Sequence, residues 1–219
     1  MKRRTALLAG ATGLVGGECL RQLLGEDAYL RVIVLTRRDL GATARHAKVT
    51  QVVTDLDGLG QVRKSLQADH VFCALGTTIR KAGSQGKFRQ VDYEYPLQLA
   101  QVARMNGASH YSIVSALGAD PKSRVFYSRV KGEVEQALRA MDWPSLAILR
   151  PSLIAGDRAE SRPMERLAEH VLRFAPSTWK PVAAADIAAA MIRTALRSPP
   201  GVTTIESRHI PGAARSAAA

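Results

Sequence analysis

The segment GATGLVG, residues 10–16, constrains the fold more than any other stretch, because it follows an apolar run and precedes a helical pattern. Gly10, Gly13 and Gly16 permit a tight turn, close approach of the backbone to a pyrophosphate, and close packing of the helix. The helix N-terminus would direct free N–H groups and the positive end of its dipole at the phosphates. These features predict a nucleotide-binding strand–turn–helix unit, although the spacing G-x-x-G-x-x-G differs from the G-x-G-x-x-G of dehydrogenases.

Short apolar runs alternate with helical patterns along the rest of the chain. The runs cover residues 5–10, 31–36, 48–53, 69–75, 110–116 and 145–151, and one long helix is expected over 88–105. Continuous apolar runs separated by helices indicate parallel strands covered on both faces. The pattern predicts an α/β Rossmann fold, a doubly wound parallel sheet, as a single domain over residues 1–212. Within it, residues 151–212 would form a small C-terminal substrate lid, and residues 213–219 a disordered tail.

Composition narrows the class of protein. The chain has 219 residues, 46% hydrophobic residues and a formal charge of +12. Its basic residues are scattered and aromatics make up only 5%, so nucleic-acid binding is the less favoured interpretation of the charge, which would still attract phosphorylated cofactors. The start of the chain resembles a secretory signal, but its glycines and Glu18 argue against one, and no apolar run is long enough to predict a membrane span.

Cysteine and histidine usage carries the expectations about compartment and metal. Cys19 and Cys73 have neither metal-ligand spacing nor a disulfide pattern, which favours a reducing cytoplasmic location. The five histidines show no metal spacing, so no metal site is predicted.

The end of the second apolar run bears on the choice of dinucleotide. Thr36 stands where an NAD-selective site places a carboxylate for the ribose 2′-OH, and Arg37 and Arg38 follow it. Guanidinium groups suit the 2′-phosphate of NADP, so the pattern favours NADP(H). The alternative is a pair of solvated loop arginines with Asp39 weakening the preference, and NAD(H) then remains possible.

Further cofactor contacts are expected where the third and fourth strands end. Asp55 is placed to meet the adenine amino group, and Leu56 to cover the ring. Ala74, Leu75 and Gly76 would lie over the middle of the cofactor, where a small residue permits close backbone approach.

Three polar residues form the candidate catalytic group. Ser115 ends the fifth strand, and Tyr127 and Lys131 lie one turn apart on the next helix. A parallel sheet would bring all three to one crevice at its carboxyl edge. There Ser115 would orient a substrate carbonyl, Tyr127 would protonate it, and the ammonium of Lys131 would favour the phenolate.

In these motifs the chain resembles the short-chain dehydrogenase/reductase superfamily, in its extended or atypical branch: GATGLVG, VSALGAD and YSRVK match its glycine, serine and Tyr-x-x-x-Lys motifs in order. Through FCALGTT, VDYEYP, YSRVKGEVE and RPSLIAGDRAESRP it is similar to the Tat-interacting-protein-like NAD(P)-binding oxidoreductases over roughly residues 4–197.

The resemblance implies a Rossmann fold that binds NADPH and a catalytic triad of Ser115, Tyr127 and Lys131. It implies cofactor contacts at Gly10, Thr12, Gly13, Leu14, Val15, Arg37, Asp55, Leu56, Ala74, Leu75 and Gly76, with Pro151 and Ser152 bordering the nicotinamide. By analogy, pairing through helices at 88–106 and 124–140 would give a homodimer; a monomer is the alternative.

Two positions stand apart from this pattern. Many relatives carry Asn where this chain has Asp92, so a water-linked proton relay through Lys131 would have to use a carboxylate here. In DRAESRP, Arg158 or Arg162 could clamp an anionic substrate, but an ion-pair network that holds the lid is the favoured interpretation.

These expectations lead to one main hypothesis and three alternatives. The main one is an NADPH-dependent oxidoreductase that acts on a small carbonyl or alcohol, with Tyr127 as acid/base. The alternatives are an NADP(H)-binding regulatory or protein-interaction module, an NAD-dependent epimerase or dehydratase, and, least favoured, a nucleic-acid-binding protein.

Overall fold

A computed structural model describes residues 3–155 and 180–215 of the chain. Its central sheet has seven parallel strands: β1 Arg4–Ala9, β2 Tyr29–Thr36, β3 Val49–Val53, β4 His70–Cys73, β5 His110–Val114, β6 Ser145–Arg150 and β9 Gly201–Glu206. A separate parallel pair consists of β7 Ile154–Ala155 and β8 Val182–Ala183. The order in the large sheet is β3-β2-β1-β4-β5-β6-β9, which begins with the 3-2-1-4-5-6 order of a Rossmann fold and confirms the predicted fold class.

Helices cover both faces of this sheet. The α-helices are α1 Leu14–Gly25, α2 Ile79–Ala82, α3 Gln85–Arg89, α4 Tyr95–Met105, α5 Phe126–Arg139, α6 Ala184–Arg197 and α7 Ile210–Arg215. Short 3₁₀ helices occupy Gly41–Arg45, Arg63–Leu66 and Ser207–His209, and one π-helical turn spans Gln90–Glu94.

The central strand shows why both faces are covered. The last four side chains of β1 are apolar and wholly buried, and in a strand they point alternately to opposite faces. Ala6 and Leu8 pack in the core with α1, α6 and α7, whereas Leu7 and Ala9 pack in the core with α4 and α5. The apolar runs of the sequence are continuous because such strands have no solvent face.

Two expected elements differ from the structure. The helix predicted over 88–105 is present as α3, the π turn and α4, which follow one another without a break; the π turn was not predicted, and it carries the buried side chain of Asp92. The disordered tail predicted from residue 213 is corrected for residues 213–215, which lie in α7, because Ile210 and Ala214 are buried against the core. Residues 216–219 are outside the described part of the chain.

The predicted lid is described only at its two ends. Residues 151–155 contribute β7, and residues 180–212 contribute β8, α6, β9 and the first half of α7. Arg158 and Arg162, which were considered for an anion clamp or an ion-pair network, lie outside the described residues.

A buried histidine lies inside the sheet away from the glycine turn. His110 is wholly buried; its Nδ1 is 2.8 Å from Ser145 Oγ and its Nε2 is 2.6 Å from Ser112 Oγ. Burial, with a smaller contribution from neighbouring His70, lowers the pKa of His110 to about 3. His70 in turn bonds the hydroxyl of Tyr29 at 2.7 Å. His110 is therefore neutral in the folded protein through the physiological range.

This low pKa predicts that acid destabilises the fold. The unfolded chain takes up a proton at His110 near pH 6.5, whereas the folded chain does so only near pH 3, so stability is lost as the pH falls between these values. The loss from this group approaches about 1.4 kcal/mol per pH unit inside the window. Urea unfolding at pH 7, 6, 5 and 4 should show a shallower decline for His110→Gln than for wild type.

The exposed His209 provides the control, because His209→Gln should keep the wild-type slope. Equal slopes for wild type and His110→Gln would contradict the assignment.

Candidate active site

The turn between β1 and α1 leaves no room for a side chain at Gly10 or Gly16. Gly10 has a φ of +92°, and a Cβ on it would lie 2.5 Å from the carbonyl oxygen of Ala74. A Cβ on Gly16 would lie 2.0 Å from the carbonyl oxygen of Gly10. The N–H of Gly13 donates to that same Gly10 oxygen at 2.9 Å and closes the turn. The loop thus packs against both its own helix and the end of β4.

The N-terminus of α1 is suited to bind an anion. Gly13 is its N-cap, no side chain bonds the free N–H groups there, and no acidic residue lies in the first turn. The helix dipole therefore presents uncompensated positive potential toward the space above the turn. A dinucleotide pyrophosphate fits this turn.

A single cavity of about 910 Å³ lies over the turn, at the carboxyl ends of the strands. Its size is within the usual range of cofactor and substrate clefts. Many predicted site residues line it: Gly10, Thr12, Gly13, Leu14, Val15, Arg37, Leu56, Ala74, Leu75, Gly76, Ser115, Tyr127, Lys131 and Ser152. The proposed cofactor contacts and the proposed catalytic residues thus share one cavity.

Four predicted contacts do not line this cavity. Gly16 lies beneath the turn, and Arg38 is exposed. The Asp55 carboxylate accepts the N–H of Gly58 at 3.0 Å within its own loop, and Pro151 is buried. Two cationic side chains that the sequence pattern does not single out, Lys81 and Lys87, line the cavity in addition.

Arg37 reaches the cavity from the end of β2. Asp39, which could have weakened a preference for a 2′-phosphate, accepts the N–H of Gly41 at 2.7 Å in its own loop. Among the described residues that line the cavity, Asp92 is the sole carboxylate. The described wall of the cavity therefore offers cations in excess of anions.

Lys131 forms a buried ion pair at the base of the cavity. Its Nζ lies 2.7 Å from Asp92 Oδ1, and the two side chains are 6% and 0% exposed. Asp92 Oδ2 accepts the N–H of Thr77 at 2.9 Å. Burial lowers the pKa of Lys131, but the Asp92 carboxylate together with the neighbouring Tyr127 and Cys73 outweighs burial, so the pKa is raised and Lys131 stays cationic. Asp92 contacts Lys131 directly because the π turn directs its side chain inward.

Ser115 is held by a second buried acid. Its hydroxyl donates to Glu135 Oε1 at 2.5 Å, and both residues are buried. Glu135 also accepts two bonds from Arg150, at 3.0 Å and 2.6 Å. Neither Glu135 nor Arg150 was predicted as a site residue from the sequence. Glu135 lies one turn beyond Lys131 on the same face of α5, and this spacing is the signal that could have identified it.

Tyr127 lies in the first turn of α5 and is half-buried. Its ring contacts that of Phe88, with centroids 5.5 Å apart, and Phe88 is wholly buried in α3. This contact packs the ring against a buried neighbour, and Tyr127 is among the residues that line the cavity.

The described residues show neither a metal cluster nor a membrane-spanning helix. Within residues 3–155 and 180–215, no group of three or more His, Cys, Asp or Glu side chains is arranged to hold a metal ion. In the same ranges, no helix combines the length and hydropathy needed to cross a bilayer.

Comparison with known proteins identifies the relatives of the chain. Residues 10–198 match the family described as NAD(P)H-binding. HTATIP2 of Rattus norvegicus is 36% identical over 181 residues, which cover 82% of this chain and 74% of the relative. The mitochondrial protein fmp52 of Emericella nidulans is 39% identical over 166 residues, which cover 74% and 71%. These matches confirm the resemblance seen in the motifs.

A solved structure shows the same fold. The structure of MoeE5 in complex with UDP-glucose and NAD superposes with a TM-score of 0.73 at 18% identity, covering 92% of this chain and 76% of that one. At this identity the likeness concerns the fold alone.

One expectation is overturned by the relatives. The cysteine usage favoured a cytoplasmic location, but Fmp52 proteins of several fungi, including that of Saccharomyces cerevisiae, are named as mitochondrial. Cys19 and Cys73 are buried free thiols, which are compatible with any reducing compartment, so they did not support the cytoplasm specifically.

The glycine turn gives a prediction with an adjacent control. Gly16→Ala forces a Cβ against the Gly10 carbonyl and should lower the free energy of unfolding by at least about 2 kcal/mol. It should also weaken NADPH binding at least tenfold, or about 1.4 kcal/mol, because the turn must open. Denaturant unfolding and titration of NADPH fluorescence measure the two effects.

Gly17→Ala is the matched control, because its Cβ would meet Ala11 O at an ordinary 3.5 Å. It should retain binding and gain about 0.5 kcal/mol of stability from the helix interior. Equal effects of the two substitutions would contradict the steric argument.

Proposed function

Because the chain belongs to the NAD(P)H-binding family, we propose that it is an NADPH-dependent oxidoreductase of the atypical short-chain dehydrogenase type, which reduces a small carbonyl substrate. The observation that carries this proposal is the cavity shared by the glycine turn, Ser115, Tyr127 and Lys131. When bound, the reduced nicotinamide would supply a hydride, and the chain would supply the proton and the electrostatic setting.

Tyr127 is the proton donor in this proposal. Negative charge develops on the carbonyl oxygen during reduction, and a phenol at the cavity wall can protonate it. Tyr127 then carries a developing phenolate, which the cationic Lys131 on the same helix face stabilises. Asp92 fixes Lys131 in place through their buried ion pair.

Arg37 sets the proposed preference for NADPH over NADH. It reaches the cavity at the end of β2, and Asp39 is engaged with its own loop rather than with the cavity. A guanidinium there can form paired, charge-assisted bonds to a 2′-phosphate.

A second candidate function is an NADP(H)-binding regulatory module with little turnover. The specific observation in its favour is the Asp92 carboxylate, which compensates the charge of Lys131 at 2.7 Å and so weakens the support for a Tyr127 phenolate. An epimerase or dehydratase is supported by the fold alone, since the UDP-glucose complex belongs to a protein of 18% identity.

The proposed chemistry depends on the phenol of Tyr127. Tyr127→Phe should lower kcat for NADPH-linked reduction at least about a hundredfold while leaving NADPH binding within about twofold. Absorbance at the NADPH band with a panel of aldehydes, ketones and quinones measures turnover, and fluorescence titration measures binding.

Tyr93→Phe is the control, because Tyr93 lies outside the cavity with its ring beneath Arg89. Tight NADPH binding by wild type without Tyr127-dependent turnover on any panel member would reject the reductase and favour the regulatory module.

Cofactor selectivity gives a separate prediction. Arg37→Ala should reduce the ratio of NADPH to NADH affinity about tenfold or more, because charge-assisted bonds to the 2′-phosphate are lost. The affinity for NADH should change little. Arg45→Ala, an exposed arginine in the following 3₁₀ helix, serves as the control for net charge. An equal loss for both cofactors would show that Arg37 does not read the 2′-phosphate.

A further inference from the structure

The hydroxyl of Ser115 already has a partner. Ser115 lines the cavity, yet its Oγ lies 2.5 Å from Glu135 Oε1 and donates to it. Both residues are buried, at 4% and 2% exposure, so water does not compete for this bond from the Glu135 side. The sequence pattern predicts a different role, in which Ser115 donates to a substrate carbonyl.

The direction of this hydrogen bond is fixed by the surroundings of Glu135. Arg150 Nε donates to Oε1 at 3.0 Å and Arg150 Nη2 donates to Oε2 at 2.6 Å, and Arg139 Nη2 lies 3.4 Å from Oε2. Two guanidinium groups direct N–H donors at the Glu135 oxygens, which accept hydrogen bonds from Arg150 and Ser115 alike. Ser115 must therefore be the donor.

The polarity of Ser115 toward the cavity follows from this arrangement. A hydroxyl has one proton and two lone pairs. With its proton committed to Glu135, Ser115 presents only lone pairs to the cavity, and a bare carbonyl oxygen placed there would meet no donor from Ser115. A substrate hydroxyl would find an acceptor.

We propose that Glu135 is a positioning residue that fixes Ser115 as a hydrogen-bond acceptor, and that Ser115 selects substrates with a hydroxyl on the carbon next to the reacting carbonyl. The preferred class is thus the α-hydroxy carbonyls. This inference rests on the proposed reductase function, in which Tyr127 remains the donor to the carbonyl oxygen.

A pair of probes of similar shape tests the selection. In 3-hydroxy-2-butanone and 3-methyl-2-butanone, a hydroxyl and a methyl occupy the same carbon. Wild type should prefer the hydroxy ketone about fivefold or more in kcat/KM, the effect of one neutral hydrogen bond. Ser115→Ala should remove that preference. A preference of wild type for the methyl ketone, or an equal loss for both probes in Ser115→Ala, would overturn the proposal.

A matched control separates the effect of Glu135 on Ser115 from the effect of Glu135 on the surrounding structure. Glu135→Gln places an amide donor within reach of Ser115 and should abolish the preference for the hydroxy ketone. Glu206→Gln alters the other acid on Arg150, at 3.1 Å, without touching Ser115, and should retain the preference. Loss of the preference in both variants, or in neither, would overturn the positioning role.

Binding of the two probes distinguishes this inference from the proposed function. Isothermal titration of each probe into the NADP⁺ complex reports recognition without turnover. Tighter binding of the hydroxy ketone with no turnover would retain the recognition and reject the reductase. Turnover with equal binding and equal kcat/KM for the two probes would retain the reductase and reject the recognition of the hydroxyl.

A measurement on wild type guards against variants that fail to fold. In protein labelled with ¹³C-serine, the Ser115 hydroxyl proton should exchange slowly and correlate with the Ser115 Cβ, since it is buried in a short bond to a carboxylate. Absence of a protected hydroxyl proton at Ser115 would overturn the assigned polarity.

Discussion

The close approach of the Gly10 backbone to the carbonyl of Ala74 sets the distance between the glycine turn after β1 and the segment after β4, which line the same cavity. A single methyl group on Gly10 would lie 2.5 Å from that oxygen, so the β1 turn and the end of β4 can meet only with glycine there. Two residues beyond Ala74, Gly76 passes close to the Asp92–Lys131 pair, where an added Cβ would be 3.5 Å from Asp92 Oδ1. The segment of residues 74–76 therefore contacts the glycine turn at one end and the Asp92–Lys131 ion pair at the other.

Buried acids compensate the polar groups that line the cavity. Lys131 is paired with Asp92, and Ser115 bonds Glu135, whose charge is balanced by Arg150. Removing two charges from water is costly, and their attraction offsets that cost only with close geometry and additional hydrogen bonds. Both clusters meet this condition, through the Thr77 N–H in one case and Glu206 in the other.

The fold could be predicted from sequence because its evidence is local and periodic. Continuous apolar runs such as that of β1 require cover on both faces, and the glycine spacing requires a strand before it and a helix after it. The glycine turn, Ser115, Tyr127 and Lys131 were brought to one edge by the same rules.

The contacts of the site could not be predicted in this way, because they depend on tertiary placement. Asp92 lies in a stretch with an ordinary helical pattern, and only the π turn directs its side chain to Lys131. Glu135 and Arg150 are 15 residues apart in sequence and belong to different elements, α5 and β6, so their side chains meet only in the folded chain. From the sequence alone, an Arg or Glu at such a position is expected to lie on the solvent-exposed surface. The C-terminal helix α7 was not predicted because only two of its side chains, Ile210 and Ala214, are buried and most of its residues are small.

The contact between Arg150 and Glu206 has a consequence for biosynthesis. Glu206 ends β9, which follows the other described strands in the chain and is one of the two edge strands of the sheet. A nascent chain that has emerged only as far as β6 already contains the glycine turn, Tyr127 and Lys131, but its Arg150 still lacks one of its two acids. During synthesis the residues of the glycine turn are therefore all present before the ion-pair cluster of Glu135, Arg150 and Glu206 beside Ser115 can be completed.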